Sequence, residues 1–167
     1  MPFQIRKATA LDLQELLRIY AAAKGIMDAA GNPNQWAAGY PGEALLLNDI
    51  RQDFLHVVIR EGIIRGCFVL ATGEDPTYRE IYEGAWSSVA PYATIHRLAG
   101  DGSGGIFDAC MEYAKSLHPY LRIDTHRDNR IMLKKLPRAG FRRCGIIYLE
   151  NGSERIAFDY EKESPAS

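Results

Sequence analysis

The spacing of hydrophobic and polar positions changes several times along the N-terminal half of the chain. Phe3 to Lys7 alternates and predicts a first strand. Thr9 is a good helix N-cap, and Asp12 stands three residues further on, as in a short capping box. The apolar positions that follow at helical spacing are Leu13, Leu16, Leu17 and Tyr20. We expect this helix to fade near Gly25 to Gly31.

A second helix is predicted from about Gly42 to Gln52, before two runs rich in β-forming residues. These runs, 54–60 and 63–71, are separated by Glu61-Gly62, which predicts a hairpin. The following stretch, Thr77 to Trp86, is polar and aromatic and predicts no regular element with clarity.

The stretch from Tyr92 to Lys115 predicts a strand, a glycine-rich turn and a helix. Tyr92 to Ala99 is strand-like, Gly100 to Gly105 contains four glycines, and Ile106 to Lys115 is helix-like. A helix that starts on glycines offers unpaired backbone N–H groups and a positive dipole end, which both suit a phosphate. The pattern therefore predicts a phosphorylated ligand.

The last third of the chain predicts a short strand, a short helix and a second hairpin. Leu121 to Thr125 is the strand, and Asn129 to Leu136 is the helix, with Gly140 at the position of a C-terminal glycine. The two closing strands, 141–149 and 155–160, flank the turn Glu150 to Ser153. The element order, β-α-α-β-β-(β)-α-β-α-β-β, places mostly antiparallel strands before a β-α-β unit.

Composition narrows the class of protein. The 167 residues predict a single domain over 1–160 and a polar tail over 161–167. The net charge of −1 provides no basic field for nucleic acid, and no apolar run approaches the roughly 20 residues of a membrane span. The N-terminus has no apolar signal segment, so we expect a cytoplasmic protein. The three cysteines form no C-x-x-C pair and indicate neither disulfides nor a metal site; we expect small core residues.

Three groups of residues resemble the GCN5-related N-acetyltransferase (GNAT) family. They are Ile5 to Thr9 followed by Asp12-Leu13, the strand Ile95 to Ala99, and Asn129 with Gly140-Phe141 eleven residues later. The resemblance covers about Phe3 to Tyr160. It implies an α/β fold with a mixed, mostly antiparallel twisted sheet of six to seven strands, flanked by about four helices. It also implies direct transfer of an acetyl group from acetyl-CoA to a primary amine.

By this resemblance, the glycine-rich turn would hold the pyrophosphate of acetyl-CoA. Arg97 to Gly102 fits the letters of the family's pyrophosphate motif, but this alignment would place the whole motif before the helix. The better alignment sets Gly104 to Phe107 at the helix start, so the contacts are expected from Gly102 to Phe107 and not from the Arg97 side chain. The usual Gln or Arg is then missing, and Phe107 replaces a small residue. The implied cofactor-binding residues are Arg97, Leu98, Ala99, Gly102, Ser103, Gly104, Gly105, Ile106, Phe107, Asn129 and Met132.

A second departure from the family concerns the catalytic acid. Many members carry a tyrosine four residues before the Gly-Phe pair, and it protonates the leaving thiolate. Here that position is Leu136, which cannot donate a proton. Either another group or water supplies the proton, or the protein is slow or inactive on ordinary amines. A non-catalytic acyl-CoA-binding module or sensor is therefore the alternative, and an unrelated mononucleotide binder is a third possibility.

Three residues are candidates for catalysis. His96 has a side chain whose ordinary pKa suits proton transfer, and strict alternation would place it on one face with Thr94 and Leu98. His126 follows a strand end near Asp124, and Glu83 lies on the segment that faces the acceptor in the family layout. The alternatives are a histidine bonded within the sheet, a loop-stabilising histidine and a solvated glutamate.

Three aromatic residues are candidates for the acceptor pocket, although core packing explains them equally well. Backbone N–H near Leu98 is the expected oxyanion donor. The acceptor is expected to be a small-molecule or peptide amine, and the hairpin edges allow a homodimer. The aromatic candidates are Trp36, Tyr40 and Trp86.

Overall fold

The structure is a computed structural model that describes residues 2–163. Its seven strands are β1 Gln4–Lys7, β2 Leu55–Arg60, β3 Ile63–Thr72, β4 Ala93–Gly100, β5 Tyr120–Thr125, β6 Arg142–Tyr148 and β7 Glu154–Glu161. Its helices of nine residues or more are α1 Leu13–Ala29, α2 Glu43–Arg51, α3 Ile106–Leu117 and α4 Arg130–Arg138. Two short 3-10 turns, Ala10–Asp12 and Pro76–Tyr78, complete these elements. No helix within residues 2–163 is long and apolar enough to cross a membrane.

All seven strands form one sheet in the order β1-β2-β3-β4-β5-β7-β6. Only β4 and β5 pair in parallel, because α3 connects them as a crossover; the other neighbours are antiparallel. Both hairpins expected from the sequence form. This architecture confirms the mixed, mostly antiparallel α/β fold with about four helices.

Helices cover both faces of the sheet. α3 and α4 pack on one face, where Leu136, Phe107 and Met111 join strand residues such as Phe68 and Phe158 in the larger core. α1 and α2 pack on the other face over β2 and β3, with Leu16, Ile19 and Leu46 buried there. Burial of these apolar side chains is the main stabilising term of the fold.

A β-bulge interrupts β4 and reverses its pattern of alternation. The pairing with β3 shifts between His96 and Ala99, and Arg97 adopts a left-handed backbone conformation with φ 51°. Ile95 and Leu98 therefore both pack towards α3 and α4, whereas Ala99 packs towards α1. The expectation that Leu98 shares a face with His96 is wrong, because the bulge adds one residue.

The segment 73–92, here called the strap, crosses the face of β5, β7 and β6 that α1 and α2 leave uncovered. Polar anchors hold it: Ser87 donates its N–H and hydroxyl to the buried carboxylate of Asp159, at 2.7 and 2.8 Å. The Arg122 guanidinium lies 4.1 Å from the centre of the Trp86 ring. The strap contains the Pro76–Tyr78 turn and a single bridge, Tyr82 to Ile146, but no strand.

α1 ends at Ala29, within the stretch from Gly25 to Gly31 where the sequence predicted that it fades. The end of β7 differs from the sequence expectation. β7 includes Glu161, and the Lys162 N–H donates to Pro119 O at 2.7 Å, so the start of the expected tail is paired. The rest of the tail, 164–167, lies outside the described residues.

Candidate active site

A cavity of about 600 Å³ opens where β4 and β5 separate. The two strands are paired only at Ala93 with Leu121 and at Thr94 with Arg122. Beyond Thr94, the edge of β4 that faces β5 has no ladder partner within residues 2–163. The walls come from the C-terminal half of α1 and the loop after it, β4, the end of β5, the start of α4 and the hairpin between β6 and β7.

His96 borders this cavity and is bonded to Asp75 of the strap. His96 Nε2 lies 2.9 Å from Asp75 Oδ2, while Asp75 Oδ1 accepts the N–H and hydroxyl of Thr77 at 2.9 and 2.8 Å. Burial raises the pKa of Asp75, but the bonds from His96 and Thr77 outweigh it and lower that pKa to about 2.

The ionised Asp75 determines which nitrogen of His96 carries the proton. A carboxylate with a pKa of about 2 can only accept hydrogen bonds at neutral pH, so Nε2 of His96 carries the hydrogen. Nδ1 then keeps its lone pair, and no donor within residues 2–163 is bonded to it. In this neutral tautomer, Nδ1 is the ring nitrogen that can accept a hydrogen bond or a proton.

A second carboxylate, Asp124, lines the cavity from the end of β5. Its Oδ2 accepts a 2.6 Å hydrogen bond from the hydroxyl of Tyr78, which is 1% exposed. Burial and the nearby carboxylate raise the pKa of Tyr78, so it remains a neutral donor. The 3-10 turn of the strap thus positions both Asp75 and Tyr78 at the site.

Arg155 and Gln35 clamp the loop after α1 onto the C-terminal half of the sheet. Arg155 Nη2 donates to the carbonyls of Asn34 and Gln35 at 3.4 and 2.9 Å. Gln35 Oε1 in turn accepts from Thr125 Oγ1 and from the His126 N–H at 3.1 and 2.8 Å. This clamp brings the α1–α2 loop across the open end of the cavity.

The glycine-rich turn after β4 has free backbone donors. Gly102, Gly104 and Gly105 all have positive φ, of 91°, 93° and 84°, and Gly105 is the N-cap of α3. Ser103 is different, because its N–H donates to Asp101 Oδ1 at 2.9 Å. Among residues 2–163, no acceptor receives the N–H groups of Gly104 to Phe107. These donors, at a helix N-terminus, fit a phosphate.

The side chains of this turn have structural roles. Phe107 is 9% exposed and packs in the core with the cation of Lys135 over its ring, so only its backbone can contact a ligand. Ile106 is also buried in that core. The turn itself is not part of the cavity wall, but Gly100, which precedes it, is, and Gly102 approaches Ile26 of α1.

Several residues expected at the cofactor do border the cavity. Leu98, Ala99, Asn129 and Met132 line it, and the Asn129 carboxamide also caps α4 by accepting the Met132 N–H at 3.2 Å. Arg97 borders it too, but its guanidinium is bonded to Asp49 at 2.9 and 3.0 Å and to the Tyr40 hydroxyl at 2.9 Å. The Arg97 side chain therefore ties the bulge to α2 and the α1–α2 loop.

Trp36 and Tyr40 line the cavity, whereas three other candidates lie outside its wall. Glu83 is exposed on the strap with φ 57°, and Trp86 packs on Tyr78. His126 Nδ1 accepts the Asp128 N–H at 3.0 Å, and burial together with Arg155 lowers the pKa of His126. The structure thus gives His126 a neutral, loop-stabilising position.

Leu136 is fully buried in the core beneath α4. The site therefore has no tyrosine on α4, as the sequence indicated. Five residues that line the cavity were not expected from the sequence: Asp75, Thr77, Gln35, Asn32 and Arg155. The pattern Asp-Pro-Thr at 75–77, with an N-cap residue before proline, signals the turn, but no local pattern signals its contact with His96.

Comparison with solved structures agrees with this geometry. An acetyltransferase of the GNAT family from Streptococcus agalactiae is 28% identical, with a TM-score of 0.84, covering 97% of this chain and 96% of that chain. A GNAT family acetyltransferase from Listeria monocytogenes is 16% identical, with a TM-score of 0.72 and coverages of 95% and 94%. A ribosomal-protein-alanine N-acetyltransferase from Brucella melitensis is 19% identical, with a TM-score of 0.59 and coverages of 95% and 99%.

The sequence itself matches no family model and no curated protein. The structural similarity nevertheless extends over nearly the whole chain, and the resemblance found in the sequence is confirmed. The chain has the GNAT fold, and its structure is similar to GNAT family acetyltransferases over nearly its whole length.

Proposed function

We propose that this protein transfers an acetyl group from acetyl-CoA directly to a primary amine. The observation that carries the proposal is the cavity between β4 and β5, with free N–H donors beyond one end and the His96–Asp75 pair at the other. The cofactor would approach from the glycine-rich turn and the amine from the side of His96, which suits direct transfer without a covalent enzyme intermediate.

The residues present suit acetyl-CoA as a co-substrate. The N–H groups of Gly104 to Phe107 would hold the pyrophosphate. The edge of β4 beyond Thr94 would pair with the amide groups of the pantetheine arm, and Met132 would pack beside it. A backbone N–H at the bulge, near Leu98, would stabilise the thioester oxygen as it gains charge.

His96 is the proposed general base. Its Nδ1 would take a proton from the attacking amine as the new N–C bond forms and the C–S bond of the thioester breaks. Asp75 would stabilise the resulting imidazolium. CoA leaves as a thiolate, and because position 136 is leucine, we propose that water carries its proton.

Binding of acetyl-CoA is the first test, and isothermal titration calorimetry measures it. No binding at millimolar concentration would refute the proposal. Gly104→Ala should weaken binding about tenfold, because a φ of 93° disfavours a side chain and the turn will shift its donors. Gly62→Ala is the matched control: its φ is 77°, its Cβ also meets open space, and it lies in the distant β2–β3 turn.

The alternative is a non-catalytic acyl-CoA sensor, which the buried Leu136 favours. A panel of primary amines with detection of the released thiol separates the two functions. A sensor binds acetyl-CoA but releases no CoA on addition of any amine.

A further inference from the structure

Asn32, on the turn after α1, has a buried side-chain oxygen with no hydrogen-bond partner. The residue is 3% exposed, and its backbone N–H donates to Met27 O at 2.8 Å. Three buried side-chain polar atoms within residues 2–163 lack partners: Asn32 Oδ1, Arg65 Nε and Thr94 Oγ1. Of these three residues, only Asn32 lines the cavity. A buried acceptor without a partner is destabilising, so a ligand that donates a hydrogen bond to this oxygen would satisfy it.

The loop around Asn32 is held in place. Arg155 binds the carbonyls of Asn34 and Gln35, and Trp36 packs edge-on against Tyr20 with ring centres 5.6 Å apart. Rotation of Asn32 towards solvent would disrupt this clamp. The loop that carries the unpaired oxygen is therefore held beside the cavity that Asn32 lines.

The polar part of the cavity contains both acceptors and donors, since the exposed Arg130 side chain also lines it. The carboxylates of Asp75 and Asp124 line it, and Asp75 is ionised. The Arg155 guanidinium, which also lines it, donates to Ser153 Oγ and to the carbonyls of Glu154, Asn34 and Gln35. The two carboxylates and Asn32 Oδ1 are acceptors, which a ligand that supplies N–H groups complements.

We propose that Asn32 Oδ1 accepts a hydrogen bond from an N–H group of the acceptor amine and thereby selects acceptors that can donate at this point. The inference rests on the proposed function. Its location supports the acceptor as the source of the N–H, because Asn32 shares its loop with Trp36 and Tyr40, and Arg155 ties that loop to β7, which pairs with the strand that contains Asp124. An amide N–H of the pantetheine arm has the same chemistry and is the rival source.

Two substitutions test the role of Asn32. Asn32→Leu removes the acceptor with little change in size, and Asn32→Asp keeps an acceptor. We expect the leucine variant to raise the Tm of the free protein by about 2 to 4 °C, since it removes an unpaired buried group. With benzylamine, spermidine and glycinamide as probes, it should raise the KM for the amine about tenfold. The aspartate variant should keep that KM within about threefold of the wild type.

The experiment distinguishes an N–H of the acceptor amine from an N–H of the pantetheine arm. It also distinguishes a failure of this inference from a failure of the proposed function. A leucine variant with an unchanged KM for every amine would overturn the role of Asn32 while transfer activity stands. Weaker binding of acetyl-CoA alone, measured by calorimetry, would assign the N–H to the pantetheine arm and overturn the acceptor assignment. Loss of amine binding in the aspartate variant would show that the ligand does not donate.

If the wild-type protein transfers to none of the three amines, the proposed function fails for them. The inference is then decided by the thermal shift that the same amines produce in the presence of CoA. A shift that is present in the wild type and lost in Asn32→Leu supports it, and equal or absent shifts overturn it.

Discussion

His96 Nε2 and Asp75 Oδ2 lie 2.9 Å apart although 21 positions separate the residues in the chain. The contact forms because the strap folds back over the sheet, where Thr77 fixes the carboxylate and the Tyr92 hydroxyl accepts the Asp75 N–H at 2.8 Å. Since Asp75 stays ionised, the proton of the imidazole is held on Nε2 and Nδ1 is free. The proposed general base therefore depends on this pair and on no residue of α4.

Replacement of the base should lower the rate without loss of acetyl-CoA binding. His96→Gln should reduce kcat/KM for the amine about 100-fold, because general base catalysis contributes a factor of this order or more. Asp75→Asn should reduce kcat/KM for the amine about tenfold, since the imidazole loses its anionic partner. Steady-state assays of thiol release measure both effects.

His126→Gln is the comparison for this prediction, because the sequence favoured both histidines. The His126 ring caps a loop outside the cavity wall, so its loss should reduce the rate much less. Equal losses in the two variants would contradict the assignment of the base to His96.

The same pair predicts acid sensitivity of the fold. The pKa of Asp75 falls from its ordinary 3.8 to about 2 on folding, so the unfolded state binds the proton more readily. The stabilisation is fully present above about pH 5 and is lost as the pH falls through 3.8 towards 2. Allowing for partial exposure, we expect about 1 to 2 kcal/mol.

Urea unfolding between pH 7 and pH 2.5 measures this stabilisation. The difference in unfolding free energy between the wild type and Asp75→Asn should shrink as the pH falls. Glu74→Gln changes the adjacent carboxylate, which is 61% exposed, and should show no such trend. A constant difference across the pH range would contradict the lowered pKa.

The ion pair between Arg97 and Asp49 should stabilise the bulge of β4. Both side chains are buried, at 13% and 5% exposure, and burial raises the pKa of Asp49 beyond what the pair offsets. Asp49→Ala leaves the Arg97 cation without its partner in a buried position, so we expect a loss of about 3 to 5 kcal/mol.

A matched exposed pair is available in Arg79 and Glu74, which are both 61% exposed. Glu74→Ala should cost less than about 1 kcal/mol in the same denaturation experiment. Equal losses for the two alanine variants would show that the Arg97 pair is not a structural anchor.

Introducing a tyrosine at position 136 should not supply a catalytic acid. Leu136 is fully buried, so Leu136→Tyr would force a larger, polar side chain into the core and should cost about 1 to 3 kcal/mol. Ile131→Tyr, on the 50% exposed face of the same helix, should change stability little. Thermal denaturation compares them. A Leu136→Tyr variant with wild-type Tm and faster thiol release would show that this position accepts the catalytic acid.

Local sequence patterns determined the elements and much of the region that is proposed to hold the cofactor. Strand alternation, the Thr9–Asp12 cap and the two hairpin turns depend on neighbouring residues, and all are present: Asp12 Oδ2 accepts the Thr9 N–H at 2.8 Å. The glycines before α3 also signal their role locally, because positive φ favours glycine. Gly140 follows α4 with φ 93°, as its position predicted.

Only the tertiary structure decided how the residues proposed to bind the acceptor are arranged. The bulge at Arg97 depends on contacts with Asp49 and Tyr40, which lie far away in the chain, and it moves Leu98 to the opposite face from His96. The Asp75 contact and the unpaired Asn32 oxygen likewise depend on how the strap and the α1–α2 loop pack. The spacing of apolar residues indicates which face of an element is apolar. It does not indicate which polar group from a distant part of the chain contacts that element. The sequence alone therefore determined the fold and the glycine-rich turn, whereas long-range packing decided the surroundings of the proposed base and the shape of the cavity.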